Sequence, residues 1–239
     1  MRVRRLLLIL AAGLLAGGCS VQGVSIGPAA VEQTGGDVRT ATTTNSHDGP
    51  VSRVEIVSDA GDVDLHAGAA AGARVGRTAR WTGPEPEVTE ALDGDVLRIT
   101  VHCPSPAETC SVGLAVEVPA ATATRVQLGA GSIAVTGLTG AHSLSTAAGS
   151  VAGTGLGAEK TSARAAAGDV DLTFSGAPAQ VEAESTAGNV TVLVPVGPVY
   201  RVDARTTVGR VDVRVADDPG ADAVITARST TGDVTVAHA

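Results

Sequence analysis

A glycine that recurs at nearly regular intervals constrains the fold of this chain more than any other sequence feature. Seven copies align, namely Gly61, Gly131, Gly149, Gly168, Gly188, Gly209 and Gly232. From the second copy onward they are 18, 19, 20, 21 and 23 residues apart. A β-branched residue follows each glycine by two positions, and an apolar residue precedes it by five. Each unit therefore predicts a strand, a glycine corner and a second strand, with inward side chains at alternate positions.

Stacking of these units follows from their size. A unit of about 20 residues cannot bury its apolar face alone, so several copies must pack on one another. A glycine at each corner suits a positive φ, which has no steric cost for this residue. We therefore expect an all-β fold over residues 51–239. Its architecture would be a single-stranded β-solenoid, a right-handed β-helix or roll with repeats of about 20 residues.

Residues 67–119 depart from this register. Segments such as "DGDVLRITVHC" predict longer strands in hairpins, with Asp93-Gly94 as a turn. Exposed ends of a stack invite edge-to-edge association, so we expect this irregular region to form a hairpin-rich cap at the N-terminal end. Trp81 lies in the same region, and two roles stay open for it. It is either part of a recognition patch with Arg77 and Arg80 or a plug within the cap.

The N-terminus has the composition of an export signal. Three arginines precede an apolar stretch of 13 residues, 6–18, which is too short to span a membrane as a helix. The segment "LLAGGC" resembles the lipobox of bacterial lipoproteins, although Ala16 stands where that motif usually has leucine. The resemblance implies a lipoprotein signal peptide over residues 1–18 and lipidation of Cys19. The alternative is an ordinary secretory signal with a chance cysteine.

Residues 19–50 and the other cysteines complete this picture of an exported chain. The segment is rich in Gly, Thr, Ala and Ser and lacks sustained periodicity, so we expect a flexible tether. Lipidation of Cys19 would leave Cys103 and Cys110 as one pair in "CPSPAETC". Metal binding is the alternative use, but CxxC spacing and a clustered histidine are both missing. We therefore expect a disulfide.

The charge of the chain excludes several partners. The net charge is −8, and without the three signal arginines 14 Lys+Arg face 25 Asp+Glu, which gives about −11. Such acidity argues against binding to nucleic acid and against electrostatic adhesion to anionic lipid. Membrane attachment would therefore depend on acyl chains at Cys19.

Calcium is the sharpest candidate for a bound ion. Five aspartates follow corner glycines, and carboxylates in register can ligate a hard cation. They are Asp62, Asp64, Asp169, Asp171 and Asp233. Other repeats have Ser, Asn or Arg at the corner, so no column of ligands is continuous, and Asp and Asn also favour turns by bonding their own backbone. We therefore predict no metal and no cofactor.

Residues for a glycan-active enzyme are not recognisable. Such a site needs paired carboxylates or a positioned base in a cleft that grips sugar rings. The aromatic residues are Trp81, Phe174 and Tyr200 alone, no GxSxG motif occurs, and the five histidines are scattered. Lys160, the one lysine, fits a solvated loop, and His142 fits a near-core position of its repeat. We predict that the protein is not an enzyme.

Several phrases of the repeat carry a family resemblance. The succession "LAVEVP", "VQLGAGSIAVTGL", "AAGDVDL", "TAGNVTVLVP" and "YRVDARTTVGRVDV" resembles the bacterial "putative-adhesin" domain family, over about residues 51–239. The resemblance implies a β-helical domain of unknown function, similar in style to auto-transporter heads, in the cell envelope. It also implies roles in adhesion or envelope-stress sensing, and it brings no catalytic residues.

The sequence therefore predicts a lipid-anchored, non-enzymatic binding, adhesion or scaffold module on the extracytoplasmic face of the cell membrane. Its partners would be the membrane, through the lipid on Cys19, and an unidentified envelope protein or glycan, but no nucleic acid. Outward positions of an extended sheet can vary without disturbing the core, which favours this function. The alternatives are a sensing or regulatory lipoprotein in envelope stress and a glycan-active enzyme.

Overall fold

In the part of the chain that the structure describes, all of the regular secondary structure is β-strand. The computed structural model describes residues 24–26, 30–33, 38–68, 71–105 and 108–239. The predicted signal peptide and the lipidation site Cys19 lie outside these residues. The described chain contains no helix, so the all-β prediction is confirmed, and none of its described segments could cross a membrane as a helix. Its 21 strands, numbered in chain order, form two mixed sheets.

The two sheets differ in size. The twelve-stranded sheet contains β1 (Val24–Ile26), β2 (Ala30–Gln33), β3 (Arg39–His47), β5 (Val63–Ala67), β6 (Ala73–Trp81), β9 (Cys110–Val118), β11 (Ile133–Thr136), β13 (Val151–Leu156), β15 (Val170–Phe174), β17 (Val190–Val194), β19 (Val211–Val213) and β21 (Val234–His238). The nine-stranded sheet contains β4 (Arg53–Ala60), β7 (Glu87–Asp93), β8 (Val96–His102), β10 (Ala123–Ala130), β12 (His142–Ala148), β14 (Lys160–Ala167), β16 (Gln180–Ala187), β18 (Arg201–Val208) and β20 (Val224–Thr231).

Seven pairs of consecutive strands form layers. In each layer a strand of the nine-stranded sheet reaches a corner glycine, after which the chain enters the twelve-stranded sheet. The layers are β4–β5, β10–β11, β12–β13, β14–β15, β16–β17, β18–β19 and β20–β21. Equivalent strands pair in parallel, so that Val126 lies beside Ile56 in one neighbouring layer and Leu144 in the other. The residues that the sequence aligns five positions before the glycine are thus neighbours in space.

Alternation along the strands produces one core. On β15, Val170, Leu172 and Phe174 are buried, whereas Asp171 is exposed. Among the side chains that the structure describes, the inward ones of both sheets form a single hydrophobic cluster. Full burial of an aliphatic side chain stabilises the fold by roughly 1.5–3 kcal/mol, so the repeated columns supply the main driving force.

The last two layers exchange places relative to the chain order. β20 pairs with β16 and β21 pairs with β17, so β20–β21 lies between β16–β17 and β18–β19. β21 pairs with β17 over five residues, whereas β19 has only three. The shorter strand therefore takes the edge position, where it needs a partner on one side only.

Hairpins extend the opposite end of the stack. β8 and β9 lie parallel to β4 and β5, and β6 and β7 continue the two sheets as antiparallel strands. The loop between β7 and β8 is Gly94-Asp95, one residue later than the predicted turn. Gly94 has a φ of +63° and Asp95 has no positive φ, a combination typical of a type II′ turn.

The prediction of a flexible tether is wrong for residues 39–47. This segment forms β3, which pairs with β6 along all nine residues. Its buried side chains are polar, namely Thr43, Asn45 and His47, so the sequence shows no apolar alternation here. The short strands β1 and β2 also fall within residues 19–50 and pair with β3.

Candidate binding face

Two clefts lie on the outward face of the nine-stranded sheet. The first has a volume of about 360 Å³ and lies where β10, β12 and β14 begin. The second has a volume of about 770 Å³ and lies nearer the corner glycines. Ligand-binding clefts typically have volumes of roughly 300–1,000 Å³, so both are large enough for a small molecule or part of a polymer.

A chain of ion pairs crosses one part of this face, from β14 to β18. Arg164 contacts Glu182 at 2.6 Å and Glu184 at 3.1 Å. Arg228 extends the chain to Glu184 at 3.7 Å and to Asp203 at 2.6 Å. The hydrogen bond from Arg228 is the largest of the effects that lower the pKa of Asp203. Because all of these side chains are partly solvated, the pairs contribute little stability and mainly fix a pattern of charge.

In the middle of the face, several outward side chains are short and uncharged. β10 and β12 present Gln127, Ser143, Ser145 and Ala147 outward, and these side chains make no ion pairs in the described structure. We call Ser143 and Ser145 the serine floor. Arg125 lies beside Ser143 on one side, and Arg164 lies beside Ser145 on the other. The face therefore has a strip of short polar side chains between longer charged ones. Such a surface can accommodate an extended ligand through hydrogen bonds and charge.

The predicted corner glycines occupy equivalent positions. All seven have φ between +125° and +154°. A Cβ at Gly168 would lie 2.0 Å from the carbonyl oxygen of Gly149, and the other corners approach a neighbouring backbone just as closely. Both the conformation and the close approach therefore require glycine.

The residue after each corner glycine belongs to a hydrogen-bonded ladder. Its side-chain oxygen accepts from the backbone N–H of the equivalent residue in the next layer, at 2.6–3.3 Å. In spatial order the ladder runs through Asp62, Ser132, Ser150, Asp169, Asn189, Asp233 and Arg210. A carboxylate, an amide or a hydroxyl oxygen can serve, which explains why the position varies. The side chain of Arg210 contains no hydrogen-bond acceptor, so this residue is the last member of the ladder.

The ladder gives the corner aspartates a structural role. Asp64 lies beside Ala134, and Asp171 lies beside Ala152 and Thr191, so these two carboxylates do not stack in adjacent layers. Within the described residues, no group of three or more His, Cys, Asp or Glu side chains could hold a metal ion.

A second set of side-chain bonds was missed by sequence reasoning. Four hydroxyls, each three residues before a corner glycine, donate to the carbonyl oxygen of the corner glycine in a neighbouring layer at 2.8 Å. They belong to Thr146, Ser185, Thr206 and Ser229. The recurrence of Ser or Thr at this position was the available signal, but Leu128 and Ala165 interrupt it.

The two remaining cysteines form the predicted disulfide. Cys103 and Cys110 are bonded to each other. Cys103 directly follows β8 and Cys110 begins β9, and these two strands lie parallel to the first layer, so the bonded loop stands where other layers have a glycine corner. The backbone N–H of Cys103 also donates to Asp59 at 2.9 Å, and this bond is the largest of the effects that lower the pKa of that carboxyl.

The single-residue candidates lie in different surroundings. Trp81 is 2% exposed and belongs to the core, with the Arg39 guanidinium 5.6 Å from its ring centre, so it does not form an exposed patch. His142 is buried, its Nδ1 lies 2.9 Å from the Thr124 hydroxyl, and burial lowers its pKa. Lys160 lines the 360 Å³ cleft.

One solved structure shares this fold, and another is similar to part of it. A "putative cell adhesion protein" from Clostridium sporogenes matches with a TM-score of 0.51 at 10% identity, over 83% of this chain and 99% of that one. A "putative adhesin" from Bacteroides fragilis matches with a TM-score of 0.46 at 13% identity, over 83% and 97%. No curated protein matches the chain. At such low identity the first likeness shows the fold alone.

A family model covers most of the stacked layers. The model described as Toastrack DUF4097 matches residues 107–237, a little over half of the chain. The matched stretch includes the six layers from β10–β11 onward. The family resemblance predicted from the repeat phrases is thereby confirmed. The chain belongs to the Toastrack DUF4097 family.

Proposed function

We propose that this protein is a cell-surface adhesion or scaffold module that binds without catalysis. Its binding surface would be the outward face of the nine-stranded sheet. The observation that carries the proposal is the coincidence of both clefts, the serine floor and the ion-pair chain on that one face. The structural neighbour described as a "putative cell adhesion protein" supports the same function.

A β-solenoid scaffold suits this function. We propose that the stacked layers form such a solenoid, whose right-handedness stays a prediction. The glycine corners and the side-chain ladder fix the backbone independently of the outward residues. Side chains on the face can therefore differ from layer to layer without loss of packing.

Attachment to the membrane is part of the proposal. Lipid on Cys19 would hold the domain on the extracytoplasmic side, and the disulfide supports an oxidising compartment. Replacement of Cys19 by Ala should release the chain to the medium or block its processing. Unchanged retention in the membrane fraction would contradict the lipid anchor.

Retention on immobilised envelope fractions tests the binding function. The full-length chain should be retained more strongly than an unrelated lipoprotein of similar net charge. Equal retention of the two proteins would count against an adhesion or scaffold role.

Incubation with peptidoglycan and surface polysaccharides tests the absence of catalysis. We expect no product, because the described residues of the face include no positioned acid and base beside a sugar-stacking aromatic. Product that increases in proportion to the amount of protein would show that the module is an enzyme.

A further inference from the structure

We propose that the 360 Å³ cleft binds the anionic group of a saccharide, that is, a carboxylate or phosphate carried by a polyhydroxylated chain. This inference rests on the proposed function and deepens it, because it names the ligand class for one place on the binding face.

The shape of the cleft comes from side-chain size along one row of the sheet. Ala123 is the first residue of β10, and Ala141 directly precedes β12. Both line the cleft with side chains that extend little beyond the backbone. Arg53 lies beside Ala123 on one side of this floor, and Lys160 and its neighbour Gln180 lie on the other. A ligand that rests on the two alanines is therefore flanked by longer polar side chains.

Two cations in the cleft make no ion pair with the carboxylates that also line it. Arg125 and Lys160 line it, and neither makes an ion pair or side-chain hydrogen bond within the described part of the chain. Lys160 is the single lysine of a chain whose net charge is −8. The cleft therefore contains two unpaired positive charges, although the chain as a whole is acidic.

The carboxylates at the rim do not neutralise these cations. Glu55 is bonded to Arg98 at 3.1 Å, and Glu182 is bonded to Arg164 at 2.6 Å. Both of these arginines lie outside the lining of the cleft. The cleft therefore presents an excess of positive charge to a ligand, which favours an anion.

The surrounding groups indicate what carries the anion. Trp81, Phe174 and Tyr200 are at most 2% exposed, so the face has no aromatic platform on which a sugar ring could stack. Recognition must come from charge and hydrogen bonds. The Arg125 guanidinium can bind a carboxylate or phosphate through two parallel bonds, and Lys160 adds a point charge.

Neutral polar groups complete the match to a saccharide. Ser143 and Gln180 line the same cleft, and hydroxyl and amide groups both donate and accept hydrogen bonds. Sugar hydroxyls do the same, so these side chains suit the part of the ligand that carries no charge. An anionic membrane is the less suitable source, because the net negative charge of the whole chain opposes its approach.

Calorimetric titration of the full-length chain with four materials tests the ligand class. They are a galacturonic acid oligosaccharide, a neutral galactose oligosaccharide of equal length, a glycerol-phosphate oligomer and vesicles that contain phosphatidylglycerol. We expect one or both anionic oligomers to bind at least about tenfold more tightly than the neutral sugar, and added salt to weaken this binding. The two anionic oligomers distinguish carboxylate from phosphate.

Matched variants test the position of the site. R125Q/K160Q should lose at least about tenfold in affinity for the anionic oligomer, whereas R74Q/R80Q removes the same charge at two exposed positions outside the cleft and should bind as the wild type does. K160R keeps the charge and should retain binding. Equal melting temperatures would show that all variants are folded.

Several results would overturn the inference. They are equal affinities of the two double variants, equal affinities for the acidic and neutral sugars, and binding to vesicles without binding to either anionic oligomer. If the chain binds none of the soluble compounds but is still retained by envelope fractions, this inference fails and the proposed function stands. If retention on envelope fractions is also absent, both fail.

Discussion

At one end of the stack the sheets continue into hairpins, whereas at the other end they stop at two edge strands. Glu90 on β7 ties the two sheets together at the hairpin end. It accepts a hydrogen bond from Asn45 Nδ2 at 2.9 Å and lies 3.2 Å from Arg77 Nη1 and 3.4 Å from His47 Nε2. Its side chain is 5% exposed. The hairpin end is therefore closed by added strands and by a buried polar cluster.

The other end exposes part of what would be core in an inner layer. Val211 and Val213 are 45% and 38% exposed, whereas Val170, in the same column as Val211, is fully buried. The chain after β19 covers only part of this edge, where Asp217 Oδ1 accepts from the N–H of Val202 at 3.0 Å. We call β18–β19 the open end.

The difference shows two ways to stop a repeating structure. The hairpin end gains contacts, while the open end is protected by the chemistry of its last layer. Arg210 ends the corner ladder because it offers no acceptor to a further layer. Arginine and aspartate also alternate along β18, as at Arg201, Asp203 and Arg205, and charges on an edge strand oppose pairing with another chain.

Corner glycines should give the largest contrast between inner and end layers. Gly168→Ala should lower the free energy of unfolding by roughly 3 kcal/mol or more, because φ is +142° and the new Cβ would lie 2.0 Å from the carbonyl oxygen of Gly149. Gly209 has a similar φ of +148° but has a neighbouring layer on one side only. Because this layer can move outward, Gly209→Ala should lower the free energy of unfolding by less than Gly168→Ala does. Urea denaturation measures both, and equal losses would show that the end layer is as constrained as the inner ones.

The disulfide at the hairpin end should rank next. C103S/C110S opens an eight-residue loop, which on the chain-entropy estimate lowers the free energy of unfolding by about 2.5 kcal/mol. Thermal unfolding of the wild type in reductant should reproduce the loss, and reductant should leave the double variant unchanged. A wild type that unfolds identically with and without reductant would contradict a stabilising role.

Valines of one column should separate buried from exposed layers directly. Val170→Ala should lower the free energy of unfolding by about 2 kcal/mol, because this side chain is fully buried. Val211→Ala removes the same atoms at 45% exposure and should lower it by less than about 1 kcal/mol. Denaturant midpoints of the two variants provide the measurement. Similar losses would indicate that another molecule covers the open end in solution.

The buried cluster at the hairpin end should make stability depend on acid. Burial raises the pKa of Glu90, but hydrogen bonds from His47 and Asn45 and the charge of Arg77 outweigh it and hold this pKa below its ordinary value. The ionised group therefore stabilises the fold above the unfolded-state pKa of about 4.3, and this contribution is lost as the pH falls through the lower folded value.

Glu90→Gln should consequently lower the free energy of unfolding by about 1–2 kcal/mol at neutral pH, with a deficit that shrinks below about pH 4. Glu87→Gln, at an exposed position of the same strand, is the matched control and should change stability by less than about 0.5 kcal/mol. Unfolding curves between pH 3 and pH 7 give the comparison. A deficit that does not change with pH would assign the effect to packing rather than to charge.

The layers were predictable because their physical constraints mark the sequence. A corner that needs positive φ selects glycine, and a buried strand selects an apolar residue at every second position. The alignment of Ile56 with Val126 and Leu144 is therefore also their spatial pairing. The disulfide followed from the two cysteines that remain once Cys19 is assigned to the predicted lipid.

Other features leave no such mark. β3 turns Thr43, Asn45 and His47 inward, so its burial cannot be recognised from hydrophobic alternation. The exchange of the last two layers is invisible because neighbouring repeats have equivalent columns. The binding face depends on contacts between distant residues, such as Arg228 with Asp203, and outward positions carry no period that would reveal them.

One pair of variants tests most directly whether the sheet face or the open end binds the partner. Ser145→Trp places a bulky side chain on the serine floor, and Val211→Trp places the same bulk at the open end. Retention of each full-length chain on immobilised envelope fractions is then compared with that of the wild type. If the face is the binding surface, Ser145→Trp abolishes retention and Val211→Trp preserves it. Loss of retention in Val211→Trp, with full retention in Ser145→Trp, would contradict the proposal and assign binding to the open end.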